Sequence, residues 1–492
     1  MLGSRHGRSS VIVSVALLTA VGAALRFATI DRQSFWLDEL VTVFLLRQDF
    51  GDMLRAIPES EATPYLYYVL AWPWTRLFGF GEIGVRSLSA LVGAAIVPVA
   101  YGAGAALVSR RVGVIAAALV SVHPFLVWYA QEARAYSLFA LLAACTVLFF
   151  GRALRGGGGW DLLGWALAAS LALATHYFAL FLIVPEAAWL LVRHGSRRFA
   201  ALAALLPTAV GLAHLPLLLE QRGAGEAVTD ASLGVRVAGV PKGLAVGFSF
   251  PAEIAGSVLA AVLLTTGLVL LLTRASPELR RRAFVPGGLA IISIVLPVAL
   301  ALLGADYVIV RNAILGIVPA AICVATGYAA TRLGLAAGAT LCALLLAIAL
   351  SASLDERYGR TDWRSAGQRL GSPRGARAIV VTPFLSRQLW EPYLPSLAEP
   401  SGDVLRVQEI AAIGLATEEG FSIAGPVKPP ALDSGPPPPP AGFRIVAQER
   451  TPTYTLVLYR ATGPTPVSLA ELDRLRLADR QPGFLVQPAP TG

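Results

Sequence analysis

Apolar runs of about 20 residues, the length that crosses a bilayer, recur through the first 351 positions between short polar breaks. The pattern predicts spanning helices at about 11–30, 83–108, 112–130, 133–151, 160–176, 177–193, 199–218, 246–273, 284–304, 311–331 and 334–351, eleven in all. A further stretch, Pro64 to Gly79 (PYLYYVLAWPWTRLFG), is apolar but short, rich in Tyr and Trp, and interrupted by Pro73. It reads as an interfacial helix, with its aromatic rings at headgroup level.

Basic loops decide between spanning and interfacial for that stretch. If it lies on the outer surface, Arg110, Arg111, Arg152, Arg155, Arg193, Arg197, Arg198, Arg274, Arg280, Arg281, Arg282 and Arg332 all fall on the side of the N-terminus. If it spans, all of them move outside, against the positive-inside rule. The expectation is a multi-pass plasma-membrane protein with a cytoplasmic start, its first run (Val11 to Ile30) an uncleaved anchor. Most carboxylates before the tail then gather outside: Asp31, Asp38, Glu39, Asp49, Asp52, Glu59, Glu61, Glu82, Glu132, Glu220, Glu226, Asp230 and Asp306. Acidic residues steer insertion weakly, so this clustering points to chemistry on the outer face.

After Ser351 the pattern changes. DERYGRTDWRSAGQRL reads as a helix, ARAIVVTP as a strand, and GFRIVAQERTPTYTLVLYRAT as a hairpin around Thr-Pro-Thr. A Pro-rich spacer occupies 426–441. The fold class expected is an all-α polytopic membrane module over 1–351, with interfacial helices in outer loop 31–82, and a small extracytoplasmic α/β domain over 352–492.

Composition agrees with this division. The 492 residues are 55% hydrophobic and 14% charged, with a mean hydropathy of +0.64, against about 25% charge in soluble domains. The net charge of +9 is accounted for by basic cytoplasmic loops, so no nucleic-acid partner is expected. Cys145, Cys323 and Cys342 all lie in apolar runs and imply neither a disulfide framework nor a metal cluster.

Four polar clusters from distant parts of the chain reach the outer side. In FWLDEL, Asp38 and Glu39 form a carboxylate pair beside Phe35 and Trp36, suited to deprotonating and orienting a hydroxyl; alternatively Asp38 caps the helix that follows. In WYAQEARAYSL, Gln131, Glu132, Arg134 and Tyr136 are four polar side chains in six residues. Arg134 suits a phosphate, or Glu and Arg pair with each other in a hairpin turn. His176 and Tyr177 in ATHYFAL sit at a helix–helix turn, where a lone His commonly serves packing. In GADYVIVRNAILG, Asp306, Tyr307, Arg311 and Asn312 mark a span edge, and an Arg at that depth is costly unless it meets an anion or snorkels. Lys242 closes the polar loop 219–245, a candidate lid. Acidic groups and arginines together at an outer face suit a lipid-borne phosphate and a hydroxyl acceptor.

WLDE after the first span, the PxLYY segment, RSLSALVGAAIVPVAYGAGAALVSRRVG and PFLVWYAQEARAYSL together resemble the bacterial GT-C glycosyltransferases. The branch they resemble holds the protein O-mannosyltransferases and the lipid A aminoarabinose transferases. The resemblance implies a polyprenyl-phosphate-linked sugar donor and inverting transfer outside the cytoplasm. It places the catalytic acidic residue, a general base, on Asp38 with Glu39 beside it, QEARAY in a loop lining the site, and a donor-phosphate contact on Arg311. Glu61 and Tyr67 in the PxLYY region complete the expected substrate-binding set. Thr63 stands where relatives carry His, so no role of that His carries over. The acceptor is a glycan, lipid or protein. No cofactor is required by these motifs, and a divalent cation between Asp38 and the phosphate is compatible although no ligand set stands out. The alternatives are a lipid-linked sugar flippase or secondary transporter, whose ionisable groups sit nearer the midplane within repeats, and a non-catalytic glycan receptor.

Overall fold

The computed structural model describes residues 2–222, 232–382, 390–394, 396–416, 428–432, 435–479 and 481–489, with side chains from Ser9 onward. Glu226, Asp230 and the rest of 223–231, with positions 426, 427, 433 and 434 of the Pro-rich stretch, lie outside the described residues; the predicted loop 219–245 is helix from Leu233 onward, so Lys242 sits in a helix and not at the end of a loop.

In chain order the helices are α1 (Leu2–Phe27), α2 (Leu37–Arg47), α3 (Phe50–Ser60), α4 (Leu66–Phe78), α5 (Glu82–Leu107), α6 (Arg110–Val122), α7 (Pro124–Ala130), α8 (Tyr136–Leu154), α9 (Gly159–Thr175), α10 (Leu180–Arg193), α11 (Arg197–Ala213), α12 (Leu215–Glu220), α13 (Leu233–Val246), α14 (Glu253–Thr273), α15 (Pro277–Leu302), α16 (Ile317–Tyr328), α17 (Arg332–Leu354) and α18 (Trp363–Leu370). Strands β1 (Arg377–Thr382), β2 (Val404–Leu415), β3 (Phe443–Arg450) and β4 (Tyr454–Ser468), helix α19 (Leu469–Asp473) and strand β5 (Gly483–Gln487) follow. The chain divides into two compact units, Met1–Ile30 with Leu45–Ala352, and Asp31–Phe44 with Ser353–Gly492.

The first unit is helical. Among the described residues eight helices are long and apolar enough to cross a membrane, or nine if the bent α6–α7 pair is one span. Every predicted run is met by helix, but the count of eleven is not reached by length. The runs at 160–176 and 177–193 become α9, of 17 residues, and α10, of 14, because a 3-10 turn at Tyr177–Ala179 separates them. The stretch predicted to lie in the interface is α4, 13 residues with Pro73 inside, and it is not among the helices of spanning length. Close helix packing rests on small residues. A side chain at Gly327 of α16 would run into the Gly267 carbonyl of α14, and one at Gly104 of α5 would meet the Gly113 backbone of α6.

The second unit holds a five-stranded sheet in the order β3-β4-β2-β1-β5. β1 runs parallel to β2, with Ala378 opposite Ile410, and the other pairings are antiparallel. The predicted strand is β1 and the predicted hairpin is β3–β4. The predicted helix from 355 to 370 is shorter than read. Only Trp363–Leu370 is α-helical, because the Asp362 carboxylate accepts the Ser365 N–H at 3.0 Å and starts the helix there. The sheet core is Val380, Ile410, Ala412, Val457 and Tyr459. Beside it Arg377, fully buried, donates to Glu409 at 2.7 Å and Gln487 at 3.0 Å.

Candidate active site

In the first unit the site is assembled around the turn between α7 and α8. Arg134, 8% exposed, leaves this turn and lays its guanidinium in a fork on Glu61, 2% exposed, with Nη2 to Oε2 at 2.7 Å and Nη1 to Oε1. Nη1 also donates to the Tyr68 hydroxyl at 3.2 Å. A bidentate, charge-assisted pair fixes both distance and plane, so it ties the loop before α4 to the turn before α8. Tyr67 is buried with its ring edge-on to Tyr68, centroids 5.5 Å apart.

Tyr136 opens α8. Its ring lies 4.9 Å from Tyr129 and 6.0 Å from His176, and the Arg311 guanidinium sits 5.5 Å from its centroid, a cation–π distance. His176 ends α9 and stacks on Phe139 at 4.7 Å, and its Nδ1 accepts the Phe178 N–H at 3.2 Å. Its ring lies within electrostatic reach of Asn312, Arg311 and Arg134. Arg311 and Asn312 are carried by the 3-10 turn Val310–Gly316, where Asn312 Nδ2 donates to the Tyr307 carbonyl at 3.1 Å. Arg134, Tyr136, His176, Arg311 and Asn312, drawn from three distant sequence clusters, therefore come together.

Tyr177 joins through a residue the sequence reading passed over. Its hydroxyl donates to Gln221 Oε1 at 2.8 Å, and Gln221 Nε2 donates to the Thr63 carbonyl at 3.2 Å. The end of α12 thus grips the loop that carries Glu61. Glu132 is fully buried in the same turn as Arg134. Gln131 faces another way and closes the end of α1, donating to the Leu25 and Arg26 carbonyls and to Thr29. Lys242 pairs with Glu253 at 2.6 Å and donates to the Phe248 carbonyl at 3.0 Å. Arg236 of α13 forks onto Asp306 and donates to the Val308 carbonyl at 2.7 Å, fixing the chain just before the Arg311 turn. Hydrogen bonding from Arg236 holds the Asp306 carboxyl below the usual carboxylate range.

Asp38 and Glu39 belong to the second unit, in the first turn of α2. Glu39 is fully buried and its Oε2 accepts the Trp36 N–H at 3.3 Å, the reaching-back half of a capping box. Glu39 thus supplies part of the cap at this helix start, and Asp38 is half-buried. The segment before them is bound to the tail. Ser34 Oγ donates to the Thr361 carbonyl and accepts the Trp363 N–H, both at 3.0 Å. The Phe35 N–H donates to the Tyr393 hydroxyl at 2.7 Å, and the Arg360 N–H to Gln33 Oε1 at 3.1 Å. Among the described residues no group of three or more His, Cys, Asp or Glu side chains is arranged to hold a metal ion.

Residues 62–219 match the dolichyl-phosphate-mannose-protein mannosyltransferase family. Over this matched segment the expected resemblance is borne out, and the segment contains Thr63, Tyr67, Gln131, Glu132, Arg134, Tyr136, His176 and Tyr177. A search of curated proteins gives no match. Among solved structures, apo ArnT from Cupriavidus metallidurans is similar at 17% identity and a TM-score of 0.46, over 65% of this chain and 60% of that one. The oligosaccharyltransferase AglB from Archaeoglobus fulgidus, in complex with an inhibitory peptide and a dolichol-phosphate, gives 14%, 0.47, 75% and 58%. The arabinofuranosyltransferase AftD from Mycobacteria gives 15%, 0.45, 92% and 41%. The chain thus spans about 60% or less of the length of these structures.

Proposed function

We propose that this protein is an integral-membrane glycosyltransferase that moves a sugar from a polyprenyl-phosphate donor to an acceptor hydroxyl on the extracytoplasmic face, with inversion. The observation that carries this reading is the meeting of Arg134, Tyr136, His176 and Arg311, three of them within the mannosyltransferase-family segment. Arg311 against the Tyr136 ring, with the Glu61-held Arg134 in the same cluster, in a helical unit built for a bilayer, suits a phosphate presented by a lipid.

Asp38 takes the proton of the acceptor hydroxyl as its oxygen bonds to the anomeric carbon. The bond from that carbon to the phosphate oxygen breaks, and the polyprenyl phosphate leaves with the bonding pair. Arg134 and Arg311 meet the charge that develops on it, where fixed cations in a water-poor site contribute most. Glu61 holds the Arg134 fork in plane, and Tyr136 and His176 form the wall beside Arg311. Glu39 sets the turn that presents Asp38.

The test uses the full chain reconstituted in liposomes with radiolabelled polyprenyl-phosphate mannose and, separately, polyprenyl-phosphate arabinose. A new glycoside formed without an ion gradient supports the reading. Movement of intact labelled lipid between leaflets, with no glycoside, would instead identify a flippase or transporter.

A further inference from the structure

Arg26 sits in the last turn of α1 with 0% exposure, inside a helix of spanning length. A guanidinium there is costly unless its donors are filled. Nη1 donates to the Gly22 carbonyl at 2.8 Å and the Ser121 carbonyl at 3.0 Å, and Nη2 donates to the Val120 carbonyl at 3.3 Å. Val120 and Ser121 lie in the last turn of α6. In an unbroken helix the Val120 carbonyl would accept the N–H of residue 124, but that residue is Pro124 and has none. There α6 and α7 bend by 57°. Space for the side chain is left by two glycines. A Cβ at Gly22 would lie 3.2 Å from Arg26 Nη1, and one at Gly93 would lie 3.3 Å from Nε.

The exchange is mutual. Gln131, just beyond α7, donates to the Leu25 carbonyl at 3.0 Å, the Arg26 carbonyl at 3.3 Å and Thr29 Oγ1 at 2.8 Å, capping the end of α1. Each helix break thus fills the carbonyls that the other leaves open, and Arg134 leaves the chain three residues after Gln131.

We infer that Arg26 is a positioning residue: its guanidinium replaces the N–H that Pro124 lacks, holds the α6–α7 bend, and through it fixes the turn that presents Arg134. Its kinetic consequence rests on the transferase reading above; its conformational consequence does not.

The experiment compares Arg26→Gln, Pro124→Ala and the double variant as full-length protein in nanodiscs. It reads amide hydrogen exchange over residues 119–135 alongside donor KM and kcat. Losing buried bonds to two carbonyls predicts that Arg26→Gln raises exchange at 125–131 and donor KM by at least about tenfold, with kcat changed less. Pro124→Ala returns an N–H to Val120, so the double variant stays within about threefold of Pro124→Ala alone. Wild-type exchange in Arg26→Gln, or additive effects in the double variant, would overturn the inference. If Arg26→Gln yields no folded protein, recovery of monodisperse protein in the double variant supports it and failure to recover overturns it. If the wild-type chain transfers no sugar, the function reading fails while exchange still decides on Arg26.

Discussion

Within the first turn of α2 two adjacent carboxyls divide between a backbone cap and the proposed chemistry. Glu39 reaches back to the Trp36 N–H; glutamine keeps an acceptor oxygen at that place, so Glu39→Gln should preserve most transfer. Glu39→Ala should cost about 1 kcal/mol of stability, the usual value of a lost helix cap, visible as a lower Tm. Asp38→Asn should reduce transfer by roughly 10²–10⁴-fold, the contribution of a positioned base, with expression and donor-lipid binding intact. Near-normal turnover in that variant removes Asp38 from the mechanism. The Arg134–Glu61 fork makes a different prediction. Removing one partner of a buried pair strands the other charge and costs about 3–5 kcal/mol. Arg134→Ala and Glu61→Ala should each lower stability strongly, and the double variant should fall well short of their sum in thermal unfolding. Additive losses would show that the two side chains do not act as a pair. The polar residues of these clusters were legible as types, since charged groups beside long apolar runs stand out. Their partners were not. Nothing in the one-dimensional pattern says that Arg134 meets Glu61, because the pairing spans 73 positions.

At the scale of elements, the link between α13 and the Arg311 turn depends on a titrating group. The Arg236 bond depresses the Asp306 carboxyl below the ordinary aspartate value of about 3.9. A carboxyl lowered on folding adds stability that is complete above its unfolded value and is lost as pH falls through its folded one. Thermal unfolding followed from pH 7 down to about 3 should therefore show a loss in the wild type below roughly pH 4. Asp306→Asn should be less stable at pH 7 and lack that part of the slope. Unchanged slopes would dissociate the pair from stability. Helices were legible wherever apolar length and basic loops agreed, because bilayer thickness and charge act locally along the chain. Strand β2 was missed because its register is set by two neighbours, β1 and β4, from far along the sequence. Arg26 was hidden for the opposite reason: it lies inside a run whose apolar character gave no warning of the carbonyls it serves.

For the whole molecule, the topology inferred from basic loops is open to direct labelling. With Cys145, Cys323 and Cys342 replaced by Ala, a cysteine at Val404, exposed on β2, should react with a membrane-impermeant maleimide in intact cells. One at Trp160, exposed at the start of α9, should react only after permeabilisation. The reverse pattern would invert the assignment of faces and, with it, the side on which transfer is proposed. The two-unit division has a further bearing on biosynthesis. Residues 31–44 emerge early from the ribosome, yet the groups that hold them, Arg360, Thr361, Trp363 and Tyr393, are made more than 300 residues later. The nascent chain must thread its helices before the segment bearing Asp38 acquires its support. A premature stop codon just after Leu354 would thus leave that segment without any of these partners, even with every helix of the bundle synthesised.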